Sequence, residues 1–320
     1  MPTILFTAPY MILFLDRFGP VLEKYGLTLI VPEVEERLDE DDLLEYAGRF
    51  DGTICGDDRY TPRVLEACVP RLKVISKWGT GIDSIDQAAC ARLGIKIGNT
   101  PNAFTLPVAD TVMGYILAFA RRQPWMDHAM KTGQWEKIPG RSLSECTLGV
   151  IGVGNIGKAV IRRASAFGME LLGNDIRQIE PDFVREQRLE MTSLEDLLDR
   201  ADFVSVNCDL NPTSVHLMNA ETFAMMKPEA VLINSARGPI VDESALVQAI
   251  ENGSIAGVAL DVFEYEPLPG SSPLLHMDNV MLAPHNSNSS PAAWERVHWN
   301  TIKNLLDGLD IPTDDFNKWT

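Results

Sequence analysis

Leu148-Gly149-Val150-Ile151-Gly152-Val153-Gly154-Asn155-Ile156-Gly157 decides how this chain is read. A short apolar run of strand character leads into Gly-x-Gly-x-x-Gly, and a helical pattern starts inside the motif. Three glycines at this spacing are common and carry little alone. The strand before and the helix after make them a dinucleotide-binding fingerprint. Gly152 permits a tight turn, Gly154 lets backbone approach a pyrophosphate, and Gly157 lets the helix pack on the strand. The amides of Asn155 and Ile156 then point at phosphate from a helix N-terminus, where partial positive charge lies. The helix is expected over 156–167, with Ile156, Val160, Ala164 and Phe167 on its buried stripe, and a strand follows at 170–174.

Working outward, Asp175 ends that second strand, 18 residues after Gly157. A carboxylate there accepts bonds from the adenosine ribose hydroxyls and repels a 2′-phosphate, which favours NAD over NADP. Arg177, two residues on, works against that exclusion. Ser193-Leu194-Glu195-Asp196 has a capping hydroxyl and an acidic first turn. Strands are expected at 203–206, 231–233, 257–260 and 280–282, and a helix from Asp242 ends at Asn252-Gly253. The first hundred residues alternate short strands (4–6, 29–31, 53–55, 74–76, 95–97) with helices, as in a parallel sheet covered on both faces. Helical segments at about 106–121 and from Pro291 through Leu306 read as crossovers. The expectation is therefore two doubly wound α/β domains. A Rossmann nucleotide domain, 101–287, is inserted in a flavodoxin-like substrate domain of 1–100 plus 288–320.

The 320 residues suffice for two such domains. A net charge of −17 argues against nucleic acid or an anionic membrane as partner. There is no apolar run of transmembrane length, and Met1-Pro2-Thr3-Ile4-Leu5-Phe6 lacks the features of a signal peptide, so a cytoplasmic location is expected. Five scattered cysteines without a Cys-x-x-Cys pair suggest neither a metal site nor a disulfide framework.

Three polar residues follow strands of the second series: Arg237 in Asn234-Ser235-Ala236-Arg237-Gly238, Glu266 in Glu264-Tyr265-Glu266-Pro267, and His285 in Ala283-Pro284-His285. Oxidising a 2-hydroxy acid requires a group that fixes the carboxylate and polarises the C2 oxygen, and a base for the hydroxyl proton. An arginine fork suits the first task. A histidine backed by a carboxylate suits the second, because the carboxylate fixes the tautomer and stabilises the imidazolium. Taken alone, Arg237 reads equally as a surface side chain before a Gly-Pro turn. Of the other histidines, His128 and His298 fall in helical stretches, and His216 and His276 have no polar constellation nearby in sequence.

These strings closely resemble the D-isomer-specific 2-hydroxyacid dehydrogenase family over nearly the whole chain. The match extends to Lys77-Trp78-Gly79-Thr80-Gly81-Ile82-Asp83, to Thr100-Pro101 and Val108-Ala109-Asp110, and to Lys227-Pro228. The resemblance implies Arg237, Glu266 and His285 as the catalytic set. It implies that amides of Gly79, Thr80 and Gly81 receive the substrate carboxylate, beside Arg237 and His285. It implies that Thr80 also touches NAD, that Asp261 bonds the nicotinamide amide, that Ser235 and Ala236 lie along the nicotinamide ribose, and that Cys208 and Thr213 lie near the adenine half. It also implies D stereochemistry, a small 2-hydroxy or 2-oxo acid substrate, and a homodimer joined through helix 106–121 and the segment to Trp135. The phosphoglycerate dehydrogenase-like branch is the most similar, and 320 residues are expected to leave no room for its extra C-terminal regulatory domains. Phosphoglycerate dehydrogenase proper is therefore an alternative, and an NAD(H)-sensing, corepressor-like interaction protein is another. The formate enzymes carry glutamine where Glu266 stands. Two departures bear on substrate. Gly56-Asp57-Asp58-Arg59 puts two carboxylates where an arginine is usual, which is expected to oppose a phosphate unless Arg59 offsets them, with Lys77 and Lys137 as other phosphate contacts. Asn286-Ser287-Asn288 is expected to make the pocket mouth polar.

Overall fold

The computed structural model describes residues 1–313 and Phe316. Positions 314, 315 and 317–320 of the expected 288–320 segment lie outside the described residues. The chain divides into two compact units, Met1–Phe104 with Ser290–Thr320, and Thr105–Ser289.

The first unit has five parallel strands: β1 (Thr3–Phe6), β2 (Thr28–Ile30), β3 (Gly52–Cys55), β4 (Val74–Lys77) and β5 (Lys96–Gly98). Their order β2-β1-β3-β4-β5 is the flavodoxin-like one. β3 and β4 are buried along their whole length. They read as continuous rather than alternating apolar runs because helices cover both sheet faces. Helix Pro291–Gly308 closes one face, and Ser76 on β4 donates to the Thr301 carbonyl at 2.7 Å.

The second unit has seven parallel strands: β6 (Thr147–Ile151), β7 (Glu170–Asn174), β8 (Glu190–Met191), β9 (Phe203–Val206), β10 (Val231–Asn234), β11 (Gly257–Leu260) and β12 (Val280–Leu282). The order β12-β11-β10-β9-β6-β7-β8 is the Rossmann order extended by one strand, with its reversal between β6 and β9. Helices Thr105–Arg121 and Asn155–Ala166 bury Ala109, Val112, Ile116, Val160 and Ala164 on one face. Leu197, Phe223 and Leu246, from three further helices, cover the other. Ser193 and Asp242 cap their helices as their sequence predicts, accepting from Asp196 N and Ala245 N.

One local expectation is corrected. Phe167 is not on the buried stripe. The helix ends at Ala166, Phe167 is its C-cap, and its side chain is left 46% exposed ahead of Gly168 at φ 76°. Ile161 lies in the buried face instead. The edge strand β8 is only two residues long, too short to leave a periodic signal. Among the described residues, no helix is long and apolar enough to cross a membrane.

Candidate active site

In the second unit the site grows from the loops at the carboxyl ends of β6, β9, β10, β11 and β12. After β6 the chain turns at Gly152 with φ 89°. A Cβ there would lie 2.5 Å from the Cys208 amide nitrogen and 2.7 Å from the Asn207 carbonyl carbon. The loop after β9 therefore passes directly over the first glycine, at the switch point where nucleotides bind in such sheets. A Cβ on Gly157 would lie 2.1 Å from the Gly152 oxygen, so the helix start is equally intolerant of a side chain. Gly154 precedes helix Asn155–Ala166. The cradle is thus built to let a pyrophosphate meet backbone. Cys208 is partly buried, and burial pushes its thiol up to about 11, so it packs as a neutral group. Thr213 is exposed and donates to Asn211 Oδ1 at 2.7 Å, within a turn beyond Cys208.

Asp175 is drawn inward. Its Oδ2 accepts from Val153 N at 2.7 Å, and its Oδ1 accepts from Arg177 N at 2.8 Å and Arg177 Nε at 3.3 Å. Burial alone would raise its pKa, but the bonds from Arg177 and Val153 outweigh it and hold the carboxyl below the usual range. The Arg177 guanidinium reaches on to Gly154, with Nη2 3.5 Å from the position of a Cβ there. In this arrangement only 4% of the Asp175 side chain is exposed, and the Arg177 guanidinium occupies one of the carboxylate oxygens expected to meet ribose.

Beyond β10, Asn234 folds the arginine loop. Its Oδ1 accepts from Ala236 N at 3.1 Å and its Nδ2 donates to Arg237 O at 2.9 Å. Sequence reasoning missed this residue, although an asparagine ending a strand is the signal for such a side-chain turn. Ser235 is buried, with no hydrogen-bond partner for its hydroxyl among the described residues. Arg237 Nη1 donates to Ala236 O at 2.8 Å. At Gly238 a Cβ would lie 1.8 Å from Phe263 O and 2.5 Å from Glu264 N. The arginine loop and the glutamate loop therefore lie backbone against backbone, and only glycine allows it.

Within the glutamate loop, Glu266 Oε1 accepts from Phe263 N at 2.9 Å, which fixes the carboxylate. Its Oε2 lies 3.0 Å from His285 Nδ1. With Nδ1–H given to Glu266, Nε2 is left as the atom that exchanges a proton. His285 has φ 49°, a conformation few residues hold without support. The support is Asp261. Its carbonyl accepts from His285 N at 2.7 Å, and its carboxylate oxygens accept from Asn286 N at 2.8 Å and Ser287 N at 2.9 Å. Burial raises the Asp261 pKa, and the amides of this loop only partly offset that. Asp261 has no exposed surface, so here it holds the histidine loop; a direct bond to a nicotinamide amide would need the loop to shift.

His216, which has no polar constellation nearby in sequence, gains a partner in the fold: Nε2 lies 2.6 Å from Glu264 Oε1, across 48 residues. The polar mouth is narrower than expected, because Ser287 is buried and accepts from Thr111 Oγ1 at 3.4 Å, while Asn286 is exposed.

In the first unit, the Asp57-Asp58 pair does not face outward as two bare charges. Asp58 is fully buried and accepts from Thr7 Oγ1 at 2.5 Å and Leu38 N at 2.6 Å. Asp57 pairs with Lys77 Nζ at 3.2 Å, and Arg59 pairs with Asp39 at 3.4 Å. Lys77, 5% exposed, is thereby withdrawn as a phosphate contact, while Lys137 is exposed. After β4, Gly79 has φ 116° and its carbonyl accepts from Thr100 N at 2.8 Å. Thr80 Oγ1 donates to Thr100 O at 3.0 Å, and Thr80 O accepts from Asn99 Nδ2 at 2.6 Å. These bonds pin the carbonyl side of the loop. Among the described residues, the amides of Gly79, Thr80 and Gly81 have no acceptor.

Residues 113–287 match the family model described as D-isomer specific 2-hydroxyacid dehydrogenase, NAD binding domain. A glyoxylate reductase of Thermofilum pendens is 40% identical over 255 residues, covering 78% of this chain and 75% of that protein. A D-3-phosphoglycerate dehydrogenase of Methanocaldococcus jannaschii is 37% identical over 294 residues, 90% of this chain but 55% of that one. Among solved structures, D-lactate dehydrogenase from Aquifex aeolicus, complexed with NAD and lactic acid, superposes with a TM-score of 0.83 at 27% identity. That match covers 96% of this chain and 97% of the other.

Proposed function

This chain belongs to the D-isomer-specific 2-hydroxyacid dehydrogenase family, and we propose that it reduces a small, unphosphorylated 2-oxo acid with NADH, using His285 as the proton donor. It is an NAD-dependent oxidoreductase acting on a CH–OH group, as its relatives are named. In this reading the unit of residues 105–289 holds NAD. The residues of the cradle fit the cofactor: Gly152 and Gly157 tolerate no side chain, and the cradle ends in a helix N-terminus. NAD supplies or accepts the hydride at C2.

One observation carries the acid–base assignment: the 3.0 Å contact between His285 Nδ1 and a Glu266 carboxylate that is itself fixed by backbone. Glu266 stabilises the imidazolium and directs Nε2 outward. On reduction, Nε2–H gives its proton to the C2 oxygen as hydride arrives; on oxidation it takes the proton back. Arg237 grips the carboxylate and the C2 oxygen, the backbone of its loop pre-set by the Asn234 turn. The amides of Gly79, Thr80 and Gly81 take the other carboxylate oxygen. Ser235 and Ala236 line the nicotinamide ribose, and Cys208 and Thr213 the adenine half.

The unphosphorylated class is favoured because Lys77 is buried against Asp57 and so is not offered to a phosphate. The test is a panel of glyoxylate, hydroxypyruvate, pyruvate and 3-phosphohydroxypyruvate with NADH and with NADPH. Turnover is expected with the unphosphorylated acids and NADH. Preference for the phosphorylated one would make the protein a phosphoglycerate dehydrogenase, and no turnover on any would overturn the enzyme reading in favour of a sensor.

A homodimer belongs to the same proposal. Leu106, Met130 and Trp135 expose apolar side chains (61%, 52% and 85%) along helices Thr105–Arg121 and Gln123–Lys131 and the segment after them. Such surface favours association. Sedimentation equilibrium should give a dimer that Met130→Asp with Trp135→Asp converts to monomer; a monomeric parent protein would contradict it. The five free cysteines suit a cytoplasmic location.

A further inference from the structure

We infer that Lys77 is a positioning residue that strengthens substrate binding through the Trp78–Gly79 peptide, and that Asp57 attenuates it. The inference rests on the reading above, in which the Gly79–Gly81 amides receive the carboxylate. Lys77 ends β4 with its side chain 5% exposed. A buried ammonium is costly unless paired and hydrogen-bonded, and this one is both. Nζ donates to Trp78 O at 2.9 Å and pairs with Asp57 Oδ1 at 3.2 Å.

The geometry gives the first of these bonds a consequence. Trp78 C=O and Gly79 N–H are the two ends of one planar, resonance-coupled peptide. A charged donor on the oxygen draws electron density from the nitrogen and makes the N–H a stronger donor. That N–H is the first of the three amides without an acceptor among the described residues. The ammonium also lies close by: a Cβ on Gly79 would be 3.6 Å from Lys77 Nζ. Field and bond polarisation therefore act in the same direction on an anion at the loop, and Lys77 and Gly79 are both buried. The Asp57 carboxylate on the same ammonium opposes both. The neighbouring Asp58 is hydrogen-bonded to Thr7 and Leu38 and feels the Lys77 charge without a direct contact. The two partners thus tune the anion site with opposite signs.

The opposite signs separate this role from simple support of the fold. Oxamate, an unreactive carboxylate probe, is titrated against NADH-loaded protein, and KM and kcat for glyoxylate are measured alongside. Lys77→Met should raise the oxamate Kd and the glyoxylate KM about tenfold while kcat and NADH affinity change little. Lys77→Arg should restore most of the loss. Asp57→Asn should lower both constants below the parent values. If both Lys77→Met and Asp57→Asn weaken oxamate, or neither changes it, the inference is overturned. If the NADH-loaded parent binds no oxamate and reduces no 2-oxo acid, the reading of the site fails instead. Should Lys77→Met not fold, the Asp57→Asn and Lys77→Arg arms still decide by the sign of the change in Kd.

Discussion

His285, Glu266 and Asp261 divide one task by chemistry. Glu266 holds Nδ1, and Asp261 holds the backbone of the loop that aims the ring. Replacing the proposed proton donor should be costly: His285→Ala should lower kcat by roughly 10²–10⁴-fold while NADH still binds by fluorescence titration. Near-normal turnover in that variant would remove His285 from the mechanism. Glu266→Gln keeps the shape but not the charge, so the pH limit of reduction should move to lower pH in a kcat/KM profile, since less stabilisation of the imidazolium remains. At this scale the sequence marked Arg237, Glu266 and His285 because each follows a strand in a recognisable string, and the fold brings Glu266 and His285 to 3.0 Å. The sequence was silent about His216 with Glu264 and about Asp57 with Lys77. Those pairs are separated by 48 and 20 positions, and only folding brings them together.

Among elements, the decisive contact is between two loops rather than two strands. Gly238 lets the Arg237 loop lie on the backbone at Phe263 and Glu264, which fixes the spacing of the arginine and glutamate loops. Gly238→Ala must push one loop away, because the added carbon would sit 1.8 Å from Phe263 O. Overpacking of this kind typically costs about 1–3 kcal/mol. We expect a lower urea midpoint and a loss of kcat disproportionate to the stability change. Unchanged kinetics would mean that the loops are positioned independently. Strand and helix positions were legible from apolar runs and caps, since parallel strands covered on both faces leave continuous hydrophobic stretches. The short edge strand β8 and the outward turn of Phe167 were not, because local pattern does not reveal where a helix stops against its neighbours.

For the molecule as a whole, one buried acid couples stability to pH. Burial drives the Asp58 pKa up to about 6, against the bonds from Thr7 and Leu38 and the charge of Lys77. A raised folded-state value means that its contribution is fully present below the ordinary aspartate pKa and is lost as pH rises through about 6. The penalty on ionisation is on the order of 3 kcal/mol. Asp58→Asn should therefore flatten the dependence between pH 4 and pH 7 (urea midpoints of parent and variant compared across that window), and parallel curves would contradict this.

The sequence by itself determined the two parallel-sheet architectures, the nucleotide cradle and the family. All three are written in local pattern: apolar runs, glycine spacing and short strings after strands. Only the tertiary structure decided how the charges are used. It turned Asp57 and Asp58 from a feature opposing phosphate into one ion pair and one buried acid, drew Asp175 under Arg177, and made Asp261 the support of the histidine loop. The physical reason is that a carboxylate's effect depends on its burial and on which donors reach it, and those donors come from distant parts of the chain.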